Sequence, residues 1–103
     1  MINSTNLSTA PLMAPKFDGR LLFAGETVDV VHLTIKNGDK IDPHSNPVDV
    51  VFFVAEGEGE LTVENEKFQF KKGDCIPMKT GINRGWENTK EADLKLLVIK
   101  LKN

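Results

Sequence analysis

The sequence predicts an all-β protein, built as a sandwich or a barrel, and three observations support this fold class. Short runs of β-branched and aromatic residues recur at roughly regular spacing, and turns rich in glycine separate them. The apolar period of about 3.6 residues that marks an amphipathic helix appears nowhere over a useful length. Since the chain has 103 residues, it is the size of one domain and can bury a core without disulfides or a structural metal.

The first half of the chain predicts strands at residues 21–24, 27–35 and 48–55. Residues 27–35 are dense in β-branched side chains, which pack well on a pleated surface. Residues 48–55 are apolar at nearly every position, which predicts a strand buried on both faces, with a short buried helix as the alternative. His44 lies between two prolines that restrict their predecessors to extended conformations, so we expect it in a stiff irregular loop.

The second half continues the pattern with short runs that are apolar or alternate between apolar and polar residues. The predicted strands are residues 61–63, 68–70, 75–78 and 94–101. Asn65 and Glu66 offer a hairpin turn, so the first two of these strands should pair antiparallel. Residues 80–85 are expected to form a loop that carries Arg84 and leads into Trp86.

The N-terminal segment differs from the rest in composition. Residues 1–16 are rich in Ser, Thr, Asn and Pro, which is typical of an extended or partly disordered arm, whereas residues 17–103 carry the strand pattern. We therefore expect an arm followed by a single barrel domain. Residues 1–10 contain neither a positive charge nor an apolar run, so they lack the parts of a secretory signal.

Composition argues against several kinds of partner. The net charge is -2 with acidic and basic residues interleaved, which gives no basic face for nucleic acid. No window approaches the ~20 apolar residues of a membrane span. Cys75 is the single cysteine, so neither an intrachain disulfide nor a multi-cysteine metal site can form. We expect a cytoplasmic protein without nucleic-acid or membrane partners.

One stretch in the middle of the chain follows a known spacing. Gly38, His44, Asn46, Val50 and Gly57 reproduce, without a gap, the intervals of the Gly, His, His, Glu and Gly in the first motif of the cupin family. The chain resembles that family, and the resemblance implies a single double-stranded β-helix, a jelly-roll barrel.

The second cupin motif is matched in the same way. Gly73, Lys79, Gly81, Arg84 and Asn88 stand where the family usually has Gly, Pro, Gly, His and Asn. The two motifs and the hairpin between them cover about half of the chain.

The resemblance also implies where a metal would bind. In cupins that hold a metal, the two His and the Glu of the first motif and the His of the second bind one divalent ion. Here His44 alone is retained, and Asn46, Val50 and Arg84 occupy the other three places. Valine offers no lone pair, and an arginine that keeps its proton repels a cation. We predict no cofactor, with a divalent transition metal held by substituted ligands as the alternative.

The resemblance places a ligand pocket inside the barrel mouth. The predicted ligand-binding residues are His44, Asn46 and Arg84 at the mouth and Val50, Phe52 and Trp86 as the apolar wall. The ligand is expected to be a small organic molecule, and the planar fork of an arginine suits an anionic one. His44 is the candidate catalytic residue, because an unperturbed imidazole titrates close to neutral pH.

Each of these residues also has a structural reading. His44 could simply bond a loop carbonyl, and Asn46 is an ordinary turn residue before a proline. Arg84 could form an ion pair with Asp49 or Glu87. Trp86 could be a packing anchor of the core.

Two residues outside the motifs carry further expectations. Cys75 has only lysines near it in sequence, so we expect a small buried hydrophobe and not a reactive thiol. His32 is expected to be a hydrogen-bonded strand histidine, with a metal site shared with His44 as the alternative.

Strand parity gives one expectation about assembly. If Val50 faces inward, then Val51, Phe53 and Ala55 point outward and make an apolar outer face that needs cover. A homodimer partner is the expected cover, because the resemblance implies pairing through such faces. The alternative is the N-terminal arm, folded back through Leu12, Met13 or Phe17.

Three functions remain open on this evidence. The first is a metal-independent binding or sensing module. The second is an enzyme of the same fold. Its metal-free form would be isomerase- or epimerase-like, with His44 as base and Arg84 as electrostatic stabiliser, and its metal-dependent form would be oxygenase-like through substituted ligands. The third is a dimerising or partner-binding protein whose outer face matters more than its pocket.

Overall fold

The structure is a computed structural model that describes residues 2–14 and 17–102. Within these residues the chain forms ten β-strands and no helix. The strands are β1 (Leu12–Ala14), β2 (Phe17–Ala24), β3 (Val28–Ile35), β4 (Lys40–His44), β5 (Asp49–Glu56), β6 (Glu58–Val63), β7 (Glu66–Lys71), β8 (Cys75–Met78), β9 (Arg84–Glu87) and β10 (Leu94–Leu101). The predicted all-β class is confirmed, and β8 and β10 have the predicted bounds.

The strands form two sheets that enclose a common core. One sheet has six strands in the order β1-β2-β3-β10-β5-β8, and the other has four in the order β4-β9-β6-β7. Neighbouring strands are antiparallel throughout. β10 follows the other strands in sequence yet lies inside its sheet, where Leu96 is opposite Leu33 of β3 and Val54 of β5.

Strand β5 shows how the sequence pattern maps onto the two faces of a sheet. Val50, Phe52 and Val54 are buried, whereas Val51 is half-buried and Phe53 is 37% exposed. The predicted inward parity is therefore confirmed. The prediction that this strand is buried on both faces is wrong for the single chain, because its outer face lies on the surface of the six-stranded sheet.

One end of the barrel is closed by tight packing. Leu61, Leu94 and Leu96 are fully buried at this end. Gly57 has φ 80° there, and a Cβ atom on it would overlap the carbonyl oxygen of Asp93. Only glycine adopts this conformation and leaves room for the neighbouring backbone.

Asn88 is the buried polar residue of the closed end. It is completely buried, and its Nδ2 donates to the carbonyl oxygens of Ile35 and Ala92, both at 2.9 Å. Its Oδ1 accepts from the backbone N–H of Lys90 at 2.9 Å. The side chain thus ties the end of β3 to the turn before β10 while each of its polar atoms has a partner.

The loop predicted around His44 is wrong in extent. His44 is the last residue of β4 and lies opposite Arg84, which begins β9 and was expected in a loop. The register between β4 and β9 is irregular between Ile41 and His44. Because β4 is an edge strand, it tolerates Pro43, which has no N–H to donate.

The N-terminal segment adds β1 to the edge of the six-stranded sheet. Leu12 lies opposite Arg20 of β2, and the N–H of Leu21 donates to the carbonyl oxygen of Pro11 at 3.0 Å. The division into an arm of residues 1–16 and a barrel of residues 17–103 stays a prediction, and residues 1, 15, 16 and 103 lie outside the described residues. In the part that the structure describes, no helix is long and apolar enough to cross a membrane.

Candidate functional site

A cavity of ≈ 340 Å³ lies between the two sheets, near the end of the barrel opposite Asn88. Its polar side chains are those of His44, Asn46, Arg84 and Lys100. Its apolar lining is supplied by Met13, Val31, Leu33, Ile41, Phe52, Trp86 and Val98, and Gly19 and Gly85 complete the wall. Small-molecule sites have this character, with a mostly apolar surface and a few placed polar groups.

Strand β9 brings two of the predicted site residues into this cavity. Arg84 and Trp86 are two positions apart, so they lie on the same face of the strand. Gly85 between them lies against β4, where an added Cβ would be 2.5 Å from the carbonyl oxygen of Ile41. The glycine therefore allows β4 and β9 to approach closely, and this approach brings His44 next to Arg84.

The Arg84 side chain is buried without a full set of partners. Only 3% of it is exposed, and its Nη1 donates to the carbonyl oxygen of His44 at 2.9 Å. Its Nε is buried with no hydrogen-bond partner, and the guanidinium carbon lies 5.7 Å from the centre of the Phe52 ring. Burial lowers the pKa of Arg84, but a guanidinium keeps its proton at neutral pH.

No carboxylate neutralises this cation in the described part of the chain. The ion pairs formed among the described residues do not include Arg84. Asp49, one of its two expected partners, instead accepts hydrogen bonds from the backbone N–H and the hydroxyl of Thr80, both at 2.8 Å. The predicted ion pair with Asp49 or Glu87 is therefore wrong.

Lys100 is a second cation of the cavity, and it was not among the residues predicted from the sequence. It continues the inward-facing row of β10 after Leu96 and Val98. Asp29 of β3 lies directly opposite Lys100 but forms an ion pair with Lys102, whose Nζ donates to the Asp29 carboxylate at 3.0 Å. The signal that could have found Lys100 is this two-residue alternation, in which a charged residue ends an apolar row.

His44 lies at the exposed rim of the cavity. Its Nδ1 is 3.0 Å from the carbonyl oxygen of Asp42. A carbonyl oxygen can only accept, so this contact favours the tautomer with the proton on Nδ1 and leaves Nε2 with a free lone pair. His44 therefore bonds a backbone carbonyl, as its structural reading expected, but this carbonyl belongs to β4 and not to a loop, and Nε2 is left able to act.

The remaining predicted site residues divide between cavity and core. Asn46 lines the cavity, and its backbone oxygen accepts from the N–H of Gly81 at 3.0 Å. Phe52 and Trp86 meet edge to face, with ring centres 5.5 Å apart, and Trp86 is both core and wall. Val50 is 1% exposed in the core and is not among the lining residues.

Two residues outside the motifs lie away from this cavity. Cys75 is exposed, so the prediction that it is a buried hydrophobe is wrong. It begins β8, an edge strand, where its side chain lacks cover from one side. His32 is buried in β3 between the cavity-lining Val31 and Leu33, so it faces the opposite side of the sheet from them.

The positions that bind the metal in other cupins carry few metal ligands in this chain. The described residues contain no group of three or more His, Cys, Asp or Glu side chains arranged to hold a metal ion. Of the four family positions, Val50 lies in the core and Arg84 brings a buried positive charge next to His44. A guanidinium beside His44 disfavours a cation at these positions.

The sequence profile of the cupin domain matches residues 31–100, which is more than half of the chain. The chain belongs to the cupin domain family. The match spans both motifs, and the cupin resemblance seen in the sequence is confirmed.

Among curated proteins, the uncharacterized protein MJ1618 of Methanocaldococcus jannaschii is 38% identical over 47 residues, which are 46% of this chain and 38% of that protein. The match thus spans well under half of the relative's length.

Solved structures support the fold over the whole chain. An RmlC-like cupin family protein with a double-stranded β-helix fold from M. jannaschii has a TM-score of 0.78 at 21% identity, over 87% of this chain and 84% of that one. The polyketide cyclase RemF from Streptomyces resistomycificus has a TM-score of 0.85 at 14% identity, over 100% and 81%. The conserved SPY1581 protein of unknown function from Streptococcus pyogenes has a TM-score of 0.77 at 19% identity, over 100% of this chain and 90% of that one. The predicted double-stranded β-helix is confirmed.

Proposed function

We propose that this cupin barrel binds a small organic anion in the cavity beside Arg84. The observation that carries the proposal is a guanidinium that is 3% exposed, faces an apolar cavity and has no carboxylate partner among the described residues. A buried charge without a counter-charge is unfavourable, and a bound carboxylate relieves this through two charge-assisted hydrogen bonds.

The cavity limits the size of the ligand. At roughly 30 Å³ for each water-sized group, a cavity of ≈ 340 Å³ holds about ten non-hydrogen atoms. Phe52, Trp86 and Val98 would contact the apolar part of such a molecule. A short carboxylic acid with a hydrocarbon body satisfies both the charge and the lining.

The chain provides its own probe for this proposal. Trp86 is the single tryptophan, the sequence has no tyrosine, and the indole lies in the cavity wall. Titration of the protein with hexanoate, followed by tryptophan fluorescence, therefore reports on the cavity alone. We expect hexanoate to bind at least about tenfold more tightly than 1-hexanol, since only the acid can pair with Arg84.

Two variants separate the role of Arg84 from a general effect of charge. Arg84→Gln should reduce hexanoate binding to the level of 1-hexanol. Arg20→Gln removes the other arginine, which pairs with Asp18 on β2, and should leave binding unchanged. Equal affinities for hexanoate and 1-hexanol in the native protein, or full binding by Arg84→Gln, would contradict the proposal.

A second candidate function is metal-free acid–base catalysis in the same cavity. Its support is the Nε2 lone pair of His44, at the rim of a cavity where Arg84 could stabilise a developing negative charge. The test is solvent deuterium exchange into 4-oxopentanoate, a keto acid of suitable size, followed by NMR. Exchange that is lost in His44→Gln and kept in His32→Gln would support a catalytic base. Equal exchange in the native protein and His44→Gln would exclude it.

We also propose that the outer face of the six-stranded sheet pairs with a second copy of the chain. The support is a connected set of apolar side chains on this face, with Phe53 37% and Phe23 55% exposed. Phe53→Glu should convert a dimer to a monomer in sedimentation velocity. Phe68→Glu, at a similarly exposed phenylalanine of the other sheet, is the control and should keep the dimer. A native protein that sediments as a monomer would refute the pairing.

A further inference from the structure

Two unpaired cations face the same cavity from opposite walls. Arg84 belongs to β9 in the four-stranded sheet, and Lys100 belongs to β10 in the six-stranded sheet. Neither takes part in the ion pairs formed among the described residues. Most of the other side chains that line the cavity are apolar, with Phe52, Trp86 and Val98 among them.

The two cations differ in their surroundings. Arg84 is buried and presents a planar fork, whereas Lys100 is half-buried and carries a single ammonium on a flexible stem. The acid that lies opposite Lys100 in the sheet, Asp29, is bonded to Lys102. An inward-facing Lys100 is therefore free to reach a ligand.

We propose that the natural ligand is a small dianion, with one anionic group held by Arg84, an apolar body between the walls and a second anionic group held by Lys100. This inference rests on the proposed function, because it assigns the second charge of the ligand bound at Arg84. A single carboxylate would neutralise one cation and leave the other facing an apolar wall. A dicarboxylate is the simplest molecule that neutralises both.

The experiment compares acids of equal chain length that carry one or two carboxylates. The probes are glutarate, adipate and pimelate, each paired with pentanoate, hexanoate or heptanoate, and the readout is Trp86 fluorescence. At least one dicarboxylate should bind about tenfold more tightly than its monocarboxylate, which is the range of one charge-assisted hydrogen bond. Without a second cation the monocarboxylate would bind more tightly than the dicarboxylate. The second carboxylate makes no apolar contact, and it must be desolvated without a partner.

Variants assign the gain to Lys100. Lys100→Gln should remove the advantage of the dicarboxylate over the monocarboxylate of the same chain length. The control is Lys95→Gln, which removes a lysine of the same strand that is not among the cavity residues, and it should preserve the advantage. Arg84→Gln should weaken both kinds of acid.

The outcomes keep the two proposals apart. If neither kind of acid perturbs Trp86, the proposed function fails and this inference fails with it. If monocarboxylates bind through Arg84 but no dicarboxylate in the series binds more tightly, the dianion alone is refuted. The same conclusion follows if a dicarboxylate advantage persists in Lys100→Gln.

Discussion

Arg84 and Asn88 stand at opposite ends of β9, and both are buried polar residues, yet their surroundings differ. Asn88 is completely buried with a partner for each polar atom, whereas Arg84 is buried with an unpartnered Nε and no counter-ion in the described chain. The asparagine closes the barrel and the arginine lines a cavity. At the two ends of one strand the fold thus has a polar group whose hydrogen bonds are all made and another whose bonds are left incomplete among the described residues.

This difference supports the proposal that Arg84 is functional and Asn88 structural. A buried polar group whose bonds are all made within the chain contributes to stability, and its loss leaves several backbone groups unpaired. A buried charge without a partner is unfavourable in the free protein, and under the proposed function a bound anion would neutralise it. We therefore expect substitutions at the closed end of the barrel to reduce stability strongly, and substitution of Arg84 to change it little.

Gly57→Ala should strongly destabilise the closed end. The new Cβ would overlap the backbone of Asp93 while the residue is held at φ 80°. We expect a loss of more than about 3 kcal/mol in the free energy of unfolding, measured by urea denaturation. Gly73→Ala is the matched control, because its φ is 94° but no atom lies near the new Cβ. It should lose only about 1–2 kcal/mol, and equal losses would show that packing against Asp93 is unimportant.

Asn88→Ala should cost about 2–4 kcal/mol of stability. It removes the side-chain partners of the Ile35 and Ala92 carbonyls and of the Lys90 N–H, and the hydrogen bond to Ile35 is buried. Asn83→Ala, at an exposed position, should change the unfolding free energy by less than about 0.5 kcal/mol. If Asn88→Ala unfolded at the same urea concentration as the native protein, the structural role of Asn88 would be disproved.

Arg84→Met should leave the ligand-free protein as stable as before, or make it more stable. Methionine fills a similar apolar space, and it removes a buried charge with few partners. We expect a change within about 1 kcal/mol, or an increase, together with loss of carboxylate binding. A loss above about 2 kcal/mol in urea denaturation would mean that Arg84 is structural, and the contrast with Asn88 would disappear.

His32 should give the protein a small pH dependence of stability. Burial lowers its pKa, Lys95 adds to the effect, and Asp18 and Glu56 oppose it, while Arg20 lies opposite it on β2. In the unfolded chain, His32 has its ordinary pKa of about 6.5. Below this pH, His32 therefore binds more protons in the unfolded chain than in the folded one. Stability should fall as the pH drops from about 6.5 toward the lowered pKa and then level off.

Urea denaturation of the native protein and of His32→Gln between about pH 5 and 8 measures this effect. The unfolding free energy of the native protein should fall relative to that of His32→Gln as the pH drops. This change should be smaller than the losses expected for Gly57→Ala and Asn88→Ala. Parallel curves, or greater stability of the native protein at acid pH, would show that His32 does not titrate as expected.

Much of the fold could be predicted because its signals are local. Glycine positions and the two-residue alternation of β5 and β10 follow from turn sterics and from the pleat of a strand. The loop predicted around His44 was wrong because proline limits pairing on one side only, and β4 happens to be an edge strand. Whether a strand lies at an edge depends on pairing between residues far apart in the chain.

The cavity could not be predicted from local sequence signals either. The resemblance placed Val50 in the pocket wall and parity then assigned its neighbours to the two faces, but neither could show whether a void or other side chains would lie in front of Val50. Lys100 was missed although it ends an inward row, since a lysine at a strand end is usually solvated. Where space remains between the sheets is decided by the combined volumes of side chains from both, and no single stretch of sequence contains that information.

The position of β10 has a consequence for synthesis. Leu94 and Leu96 are fully buried, and β10 pairs with β3 on one side and β5 on the other. While the ribosome still holds these residues, β3 and β5 expose unpaired edges and the core lacks two of its leucines. Folding of the barrel therefore has to await release of β10 from the exit tunnel, and a nascent chain stalled before Leu94 should depend on chaperones.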